Sequence, residues 1–572
     1  MRTDLLKQEI PRFIGVNLRQ DRMDLADEEL AKAINADLHS AIGTIVLRLG
    51  RSKQFTSPLN DLVVRRLGKV NAIRYQVAGQ SVYRDQAKII DGLLSDNLIT
   101  TIVPYRPFND DTTWAFICDN DLMKKDDGTN CYKWGIEAPT AAPTLGSSGS
   151  GLTGTFQFVY TYARIVAGAV AHESNPSPSA SITITDDQID VSALVASTDE
   201  QVTHIRLYRT VAGGSSYLFD QNIANGTTTA TSSQIDIALG VEVEDDNDVP
   251  PNCAWGAVYN ETVFLCRNED NPHFLYHTKR LRPESQTEYI EIGNADDPLQ
   301  CCIPTSGALG VLSRLTKYRV TGNATSGYVP IEHQSRRGTP SPAAAIETEY
   351  GVVFVARDGI FSTNFFNTDI ALAQEILPLF FGETVNGMDP INWTYASKFC
   401  ASAYKNRYYL SYASGSNTNP DRVMVYSNDT KKFYFYDHPL NSFFVEEDID
   451  MLVGGSTDGF VYTLEDGSDD AGSNIALDVE TKDYFGQETA ARKLFLFYRV
   501  DAYIPSGTLS AKVYVDGALK TTGSITGDRT VNILRMPEKC IGFRWRLNFT
   551  YSGTGRVKIY GCSMLSLPLG AS

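Results

Sequence analysis

Apolar and polar residues alternate at a period of two through most of this chain, which predicts short strands joined by turns. In TFQFVYTYARIV, Phe156, Phe158, Tyr160 and Tyr162 fall on one side of a pleated strand and must line one face of a sheet. Turn signals interrupt such runs at Ala78-Gly79 and Gly213-Gly214. Two segments share a core, VVFVARDGIF and LVGGSTDGFVY, each an apolar strand, Asp-Gly and a second apolar strand. Asp358-Gly359 and Asp458-Gly459 are expected to supply the φ > 0 residues of tight hairpins. Units of about 40 to 50 residues built this way predict β-propeller blades, which bury both faces only by stacking radially. The spacing is irregular and leaves the blade number open.

Two stretches depart from the alternation. In GVNLRQDRMDLADEELAKAINADL, Leu30, Ala33, Ile34 and Leu38 recur at helical spacing, with Asp24 placed to cap and Asp27, Glu28 and Glu29 near the positive end. A helix of about three turns is marginal alone, so it is expected to dock on a neighbour. In TDIALAQEILPLFFGETVNG, Leu372, Ile376 and Leu379 with Asp369 as cap predict a packing helix between blades.

Composition changes divide the chain. Residues 1–137 read as an N-terminal docking segment followed by the first propeller strands. The Pro-, Ala-, Ser- and Gly-rich run EAPTAAPTLGSSGSGLTG, 137–154, reads as a linker. Residues 138–250, closed by the acidic EVEDDNDVPPN, are expected to be an inserted β-sandwich whose motif order resembles a fibronectin type III or immunoglobulin-like module. Residues 251–467 carry the main blades, and 468–572 return to strands that fit a C-terminal β-sandwich. The expected fold is therefore all-β.

Charge narrows the partners. The 572 residues carry 68 acidic and 51 basic side chains, a net charge of −17, with no basic stripe of the kind that displaces phosphate counterions. Adhesion to DNA is not expected, although an acidic surface would let DNA slide past without trapping it. The start, MRTDLLKQEIPRF, lacks an apolar signal core, and no run reaches the ~18 apolar residues of a membrane span. Synthesis in a cytosol follows, and the nine scattered cysteines, including the adjacent Cys301 and Cys302, are expected to be buried free thiols.

The sequence carries no recognisable catalytic constellation. Gly149-Ser150-Gly151-Leu152-Thr153-Gly154 matches GxGxxG, with Glu173 near the ribose-acid distance, but the following residues alternate as a strand where a phosphate site needs a helix. His273 and His277 in HFLYH would lie roughly 13 Å apart along a strand, too far to share an ion. The acidic stretches Asp119 to Asp127, Glu242 to Asp248 and Asp466 to Asp470 lack calcium-loop spacing. No CxxC, HExxH, P-loop or GxSxG occurs, the sequons at Asn225 and Asn392 carry no weight without a secretory signal, and only carboxylate pairs for glycoside hydrolysis stay open. No catalytic residue, cofactor or metal is assigned, and the chain is read as non-enzymatic.

The N-terminal stretch FIGVNLRQDRMDLADEELAKAINADL, followed by GTIVLRLGRSKQF, resembles the signature of tail nozzle, or packaged-DNA stabilisation, proteins of short-tailed bacteriophages. Gly15-Val16-Asn17, Met23-Asp24-Leu25, Asp27-Glu28-Glu29 and Asn35-Ala36-Asp37 carry the match. Ala26 stands where proline is common, and Arg48-Leu49-Gly50-Arg51 replaces an Arg-Pro-Gly ending. The resemblance implies a virion protein assembled in the host cytoplasm: a hexamer of propeller-bearing subunits that extends the DNA channel below portal and adaptor, retains the genome and releases it. Its implied partners are the tail adaptor, tail fibres or tailspikes, a tail needle or plug, and double-stranded DNA passing without specific binding. Two other readings follow from the architecture: a tail-associated propeller that binds or hydrolyses host surface polysaccharide, and a cellular scaffold.

Overall fold

The structure, a computed structural model, describes residues 5–93, 99–486, 489–527 and 531–569. It is all-β, with 53% of residues in strands and 3% in helix. Seven four-stranded antiparallel meanders occur among the described residues, at 64–90, 101–133, 255–291, 299–332, 346–371, 400–436 and 440–464. The last contributes only three strands of its own. Its fourth is the N-terminal strand Arg51–Lys53, paired to Val461–Leu464 in the register Tyr462↔Lys53.

The chain forms two compact units, one of residues 1–67, 76–79 and 334–572, the other of 68–75 and 80–333. Within the first unit the leading strands of successive meanders, Ile346–Thr348, Cys400–Tyr404 and Leu440–Glu446, pack side by side. Within the second, Thr101–Tyr105, Trp255–Tyr259 and Leu299–Thr305 do the same. This is the blade packing expected of a propeller: each meander covers its faces with its neighbours.

The inserted module of the second unit is organised by one 23-residue strand, Thr144–Val166. Its first part pairs with Ala180–Ser192 and Phe158 to Ala163 pair with His204–Arg209, so six strands join in one hydrogen-bonded sheet around a core of its own. Phe156, Phe158, Tyr160 and Tyr162 are all buried in that core, as alternation predicts. The expected linker is shorter than its composition suggests, because the strand begins at Thr144. Its small residues accommodate a register shift between Ser148 and Leu152, and Gly149 there has φ +77°. The GxGxxG match is thus a bulge in a strand, not a phosphate cradle.

The C-terminal region of the first unit is a sandwich. Ile475–Thr481, Trp545–Gly553, Leu509–Val515 and Ala518–Ile525 form one layer, and Lys493–Tyr503, Lys558–Pro568, Asn532–Arg535 and Ile541–Gly542 belong to the other. Val500, Val513, Phe549 and Tyr498 share its core. No helix among the described residues is long and apolar enough to cross a membrane.

Both expected helices need correction. Residues 24–38 are not helical: Asp24 lies in a turn, its N–H donating to the Asp21 carbonyl, and Glu29–Ile34 is a strand. It pairs in parallel with Gly15–Val16 and antiparallel with Ile475–Thr481. A strand covered on both faces loses its period of two, and the run Leu30, Ala31, Ala33 then imitates an apolar helix stripe. At 369–387 only the 3₁₀ turn Gln374–Ile376 and the single turn Leu377–Phe380 form, and Ala373, not Asp369, precedes them. The Asp369 carboxylate instead accepts from the Ser335 hydroxyl.

Candidate functional site: the amino-terminal junction

The residues carrying the N-terminal resemblance come together at one place in the first unit. Gly15–Val16 and Glu29–Ile34 lie between Lys432–Tyr436, the outer strand of the 400–436 meander, and Ile475–Thr481 of the sandwich, which fuses the two into one ten-stranded sheet. Val16 is fully buried there, and a Cβ at Gly15 would lie 2.3 Å from Cβ of Lys432, so only glycine allows this approach. Asn17 donates to the Glu29 carboxylate at 3.1 Å and accepts from the Arg19 N–H.

Two carboxylates share one ammonium here. Lys432 Nζ binds Glu29 Oε1 at 2.7 Å and also pairs with Glu375. Burial pushes the Glu29 carboxyl up, but Lys432, the Ala26 N–H and the Asn17 amide pull it further down, and it sits below the ordinary range. Glu375 sits above it, because burial and repulsion by Glu29 outweigh its share of Lys432.

Asn35 is the second node. Its backbone is left-handed, φ +58°, a conformation asparagine tolerates better than other non-glycine residues. Its side chain donates to the Ala476 carbonyl at 2.7 Å and accepts from Arg48 Nε at 2.8 Å and the Asp437 N–H at 2.9 Å. Arg48, itself buried, closes a two-pronged pair with Asp470 at 2.8 and 2.6 Å. Asp37 accepts from the His39 and Ser40 N–H groups and the Ser40 hydroxyl, with Arg556 at 3.1 Å. Burial raises its carboxyl, but Ser40 and Arg407 outweigh that and hold it low. Asp24 takes no part, as it sits in the turn described above.

The chain then enters the last blade through Gly50, whose Cβ position lies 1.8 Å from the Asp469 carbonyl oxygen. Replacing Gly50 with alanine is expected to cost ~1–3 kcal/mol, because backbone must move on one side or the other; a fall in melting temperature checks it, and an unchanged value would mean the Asp469 loop yields freely. Sequence reasoning missed Lys432, Glu375, Arg48 and Asp470 as partners, since they lie up to 422 residues from the groups they meet. Asn35 is named by the resemblance, and its left-handed backbone agrees with the turn-forming habit of asparagine.

Acidification should act on this junction in two stages of opposite sign. Glu29 and Asp37 are depressed in the native state, so their contribution is complete above the unfolded value near ~4 and disappears as pH falls through the lower native values. Glu375 is raised, so its strain is relieved first as pH falls. Protection of the Glu29–Ile34 amides relative to their intrinsic exchange rate should therefore hold steady down to about pH 5 and fall below about pH 4; loss of protection already at neutral pH would contradict the assignment.

The remaining sequence candidates are structural. In both hairpins the glycine, not the aspartate, takes the positive φ, Gly359 at +141° and Gly459 at +82°. Asp458 instead accepts from the Phe460 N–H and the Tyr462 hydroxyl, and Asp358 from Arg337. His277 is buried in the strand Phe274–Lys279 between the rings of Phe264 and Tyr328, and His273 precedes that strand, near Glu291. No group of three His, Cys, Asp or Glu among the described residues is placed to hold a metal. None of the nine cysteines is in a disulfide, and all but Cys131 are buried.

No protein-family model matches the chain, and no curated protein sequence does. Among solved structures, the extracellular domain of the one-component system protein BT4673 from B. thetaiotaomicron is 8% identical over 91% of this chain and 78% of its own, with a TM-score of 0.26. PorZ, a surface component of the type-IX secretion system of Porphyromonas gingivalis, is 11% identical over 88% of this chain and 77% of its own, with a TM-score of 0.24. Likenesses this remote carry no argument about what the chain does.

Proposed function

We propose that this chain is a structural virion protein of the tail-nozzle type, one subunit of a hexameric ring that extends a DNA channel below the portal and adaptor, retains the packaged genome and lets it pass. The observation carrying this reading is that Gly15, Val16, Asn17, Asn35 and Asp37, the residues of the resemblance, are spent on one buried mechanical joint between blade and sandwich. Such a joint suits a wall element that keeps its shape while DNA is under pressure. The net charge of −17 suits a channel that releases what passes through it.

Negative-stain images of the purified chain, alone and with the adaptor, test this. Six-fold rings with a central hole are expected; compact monomers in both samples would overturn the reading. Retention on double-stranded DNA at physiological salt would also count against it, since an acidic wall should show none.

A second reading, a tail-associated propeller acting on host polysaccharide, is favoured by a cleft of about 430 Å³ in the first unit between the 346–371 and 400–436 meanders. Tyr350 is exposed there beside Asn406 and Lys431, and burial raises the Glu347 carboxyl. Release of oligosaccharides from host surface glycans would favour it over the nozzle.

A further inference from the structure

The second unit holds a polar pocket that neither reading uses. It has a volume of about 210 Å³ and is lined by residues of Ala169–Glu173 and His204–Arg209, the two strands that flank Thr144–Val166 in the inserted module, of the acidic 241–247 stretch and of Arg282–Glu291 of a blade. Two side chains at its wall, His172 and Ser285, are 5% and 1% exposed, yet His172 Nε2 and Ser285 Oγ have no hydrogen-bond partner. Just behind them Glu284 Oε1 is also without one. Leaving such groups dry costs ~1–3 kcal/mol each, so the fold keeps them for something that enters the pocket.

The charges at the pocket indicate what that is. Arg206 is paired with Glu173, which also accepts from Tyr208 and Thr161. Arg282 is paired with Glu244, and Lys279 joins Glu244 and Asp246 behind it. Each cation is therefore matched by a carboxylate, and Glu242 on the wall adds a further acid, which disfavours phosphate or any other anion. His172 is neutral at physiological pH, because burial pushes it down to about 4. The free Nε2 of a neutral imidazole donates or accepts according to its tautomer and a serine hydroxyl does both, and a ligand hydroxyl can answer either group.

We propose that the pocket bounded by His172, Glu173, Arg206, Asn247, Arg282 and Ser285 binds a small neutral polyol or monosaccharide through its hydroxyl groups. At about 210 Å³ the space is small, which suits one such molecule and not a chain of several. Displacing ordered water by hydroxyls that reproduce its hydrogen bonds keeps the enthalpy of the wetted site and releases the waters.

Saturation-transfer NMR on the full chain with aldohexoses, an N-acetylhexosamine and glycerol tests this, with inorganic phosphate and calcium as comparators. Saturable transfer from at least one neutral ligand is expected, weakened about tenfold or more in Ser285→Val and reduced in Arg282→Gln, a half-exposed rim change that leaves the fold alone. Tyr350→Ala, in the first unit's cleft, should leave it unchanged. The proposal is overturned if no neutral ligand shows transfer, if Ser285→Val binds like the parent, if Tyr350→Ala abolishes the signal, or if only phosphate or calcium competes. None of these outcomes bears on ring assembly, so this pocket and the nozzle reading stand or fall separately.

Discussion

Replacing Lys125 with methionine is expected to destabilise the second unit by ~3–5 kcal/mol, the largest effect of any single charge removal in it. Lys125 and Glu284 are 2.5 Å apart, with side chains 0% and 2% exposed, so each charge has lost nearly all its water. Burial drives Lys125 down, and it stays below its ordinary range; burial drives Glu284 up, but the attraction of Lys125, with Arg164 nearby, outweighs this and leaves the Glu284 carboxylate below its ordinary range. The ammonium also sits 4.7 Å from the Trp114 ring, while Arg164 lies 4.8 Å from the same ring and pairs with Asp110. Methionine fills the space but leaves Glu284 charged and unmatched. Lys125→Met with Glu284→Gln should recover most of the loss, because two well-packed neutral groups replace a pair whose desolvation largely offsets its attraction. Trp114 and Trp134 report this core, so urea unfolding followed by tryptophan fluorescence reads it, with the transition assigned to this unit since the chain need not unfold in one step. A loss under ~1 kcal/mol in the single variant, or no recovery in the double, would show that the pair is wetter than its burial indicates.

The legible parts of this molecule are those in which one face of a strand meets solvent or a single core. Period-two alternation found the Phe156 to Tyr162 strand and the recurrent hairpins, because a half-buried pleat writes its geometry into every second residue. Where strands are buried on both faces that signal vanishes. Glu29–Ile34 is such a strand, and its apolar residues fall at helical spacing for that reason. Composition misled at Thr144 to Gly154, where glycine and serine serve a bulged strand and not a linker. Long-range closure is invisible to local pattern: nothing around Arg51–Lys53 says that it completes a blade whose other strands begin at Leu440.

The acid-rich segments show the same limit. Asp119 to Asp127 looks like a solvated or calcium-binding loop, yet Asp126 is buried, accepting from the Tyr75 hydroxyl at 2.6 Å and pairing with Arg84, and Lys125 within it points into the core. Asp470, in a second acidic run, holds Arg48. A run of like charge in sequence says how many carboxylates there are but not which of them fold inward onto a distant cation. At the candidate junction the motif residues Gly15, Val16, Asn17, Asn35 and Asp37 lie in strands or directly beside them, where helical spacing predicts a helix over part of the run.

Asn35→Ala is the second large effect, expected at ~3–5 kcal/mol. Alanine removes three side-chain hydrogen bonds at once and leaves the Arg48 Nε and the Asp437 N–H without their acceptor, while Ala476 loses a donor. It also pays ~1–2 kcal/mol for a left-handed backbone that asparagine tolerates. Glycine at this position relieves the backbone but restores none of the bonds, so Asn35→Gly should recover only about 1 kcal/mol of the loss. Aspartate keeps an acceptor for Arg48 and should be milder than either. The measurement is thermal melting together with amide exchange of Glu29–Ile34 and Lys432–Tyr436, the strands that Asn35 holds in register. If the alanine variant melts within a degree or two of the parent, the junction draws its strength from apolar packing alone. If instead exchange rises in both strands together, the blade and the sandwich are coupled through this one side chain.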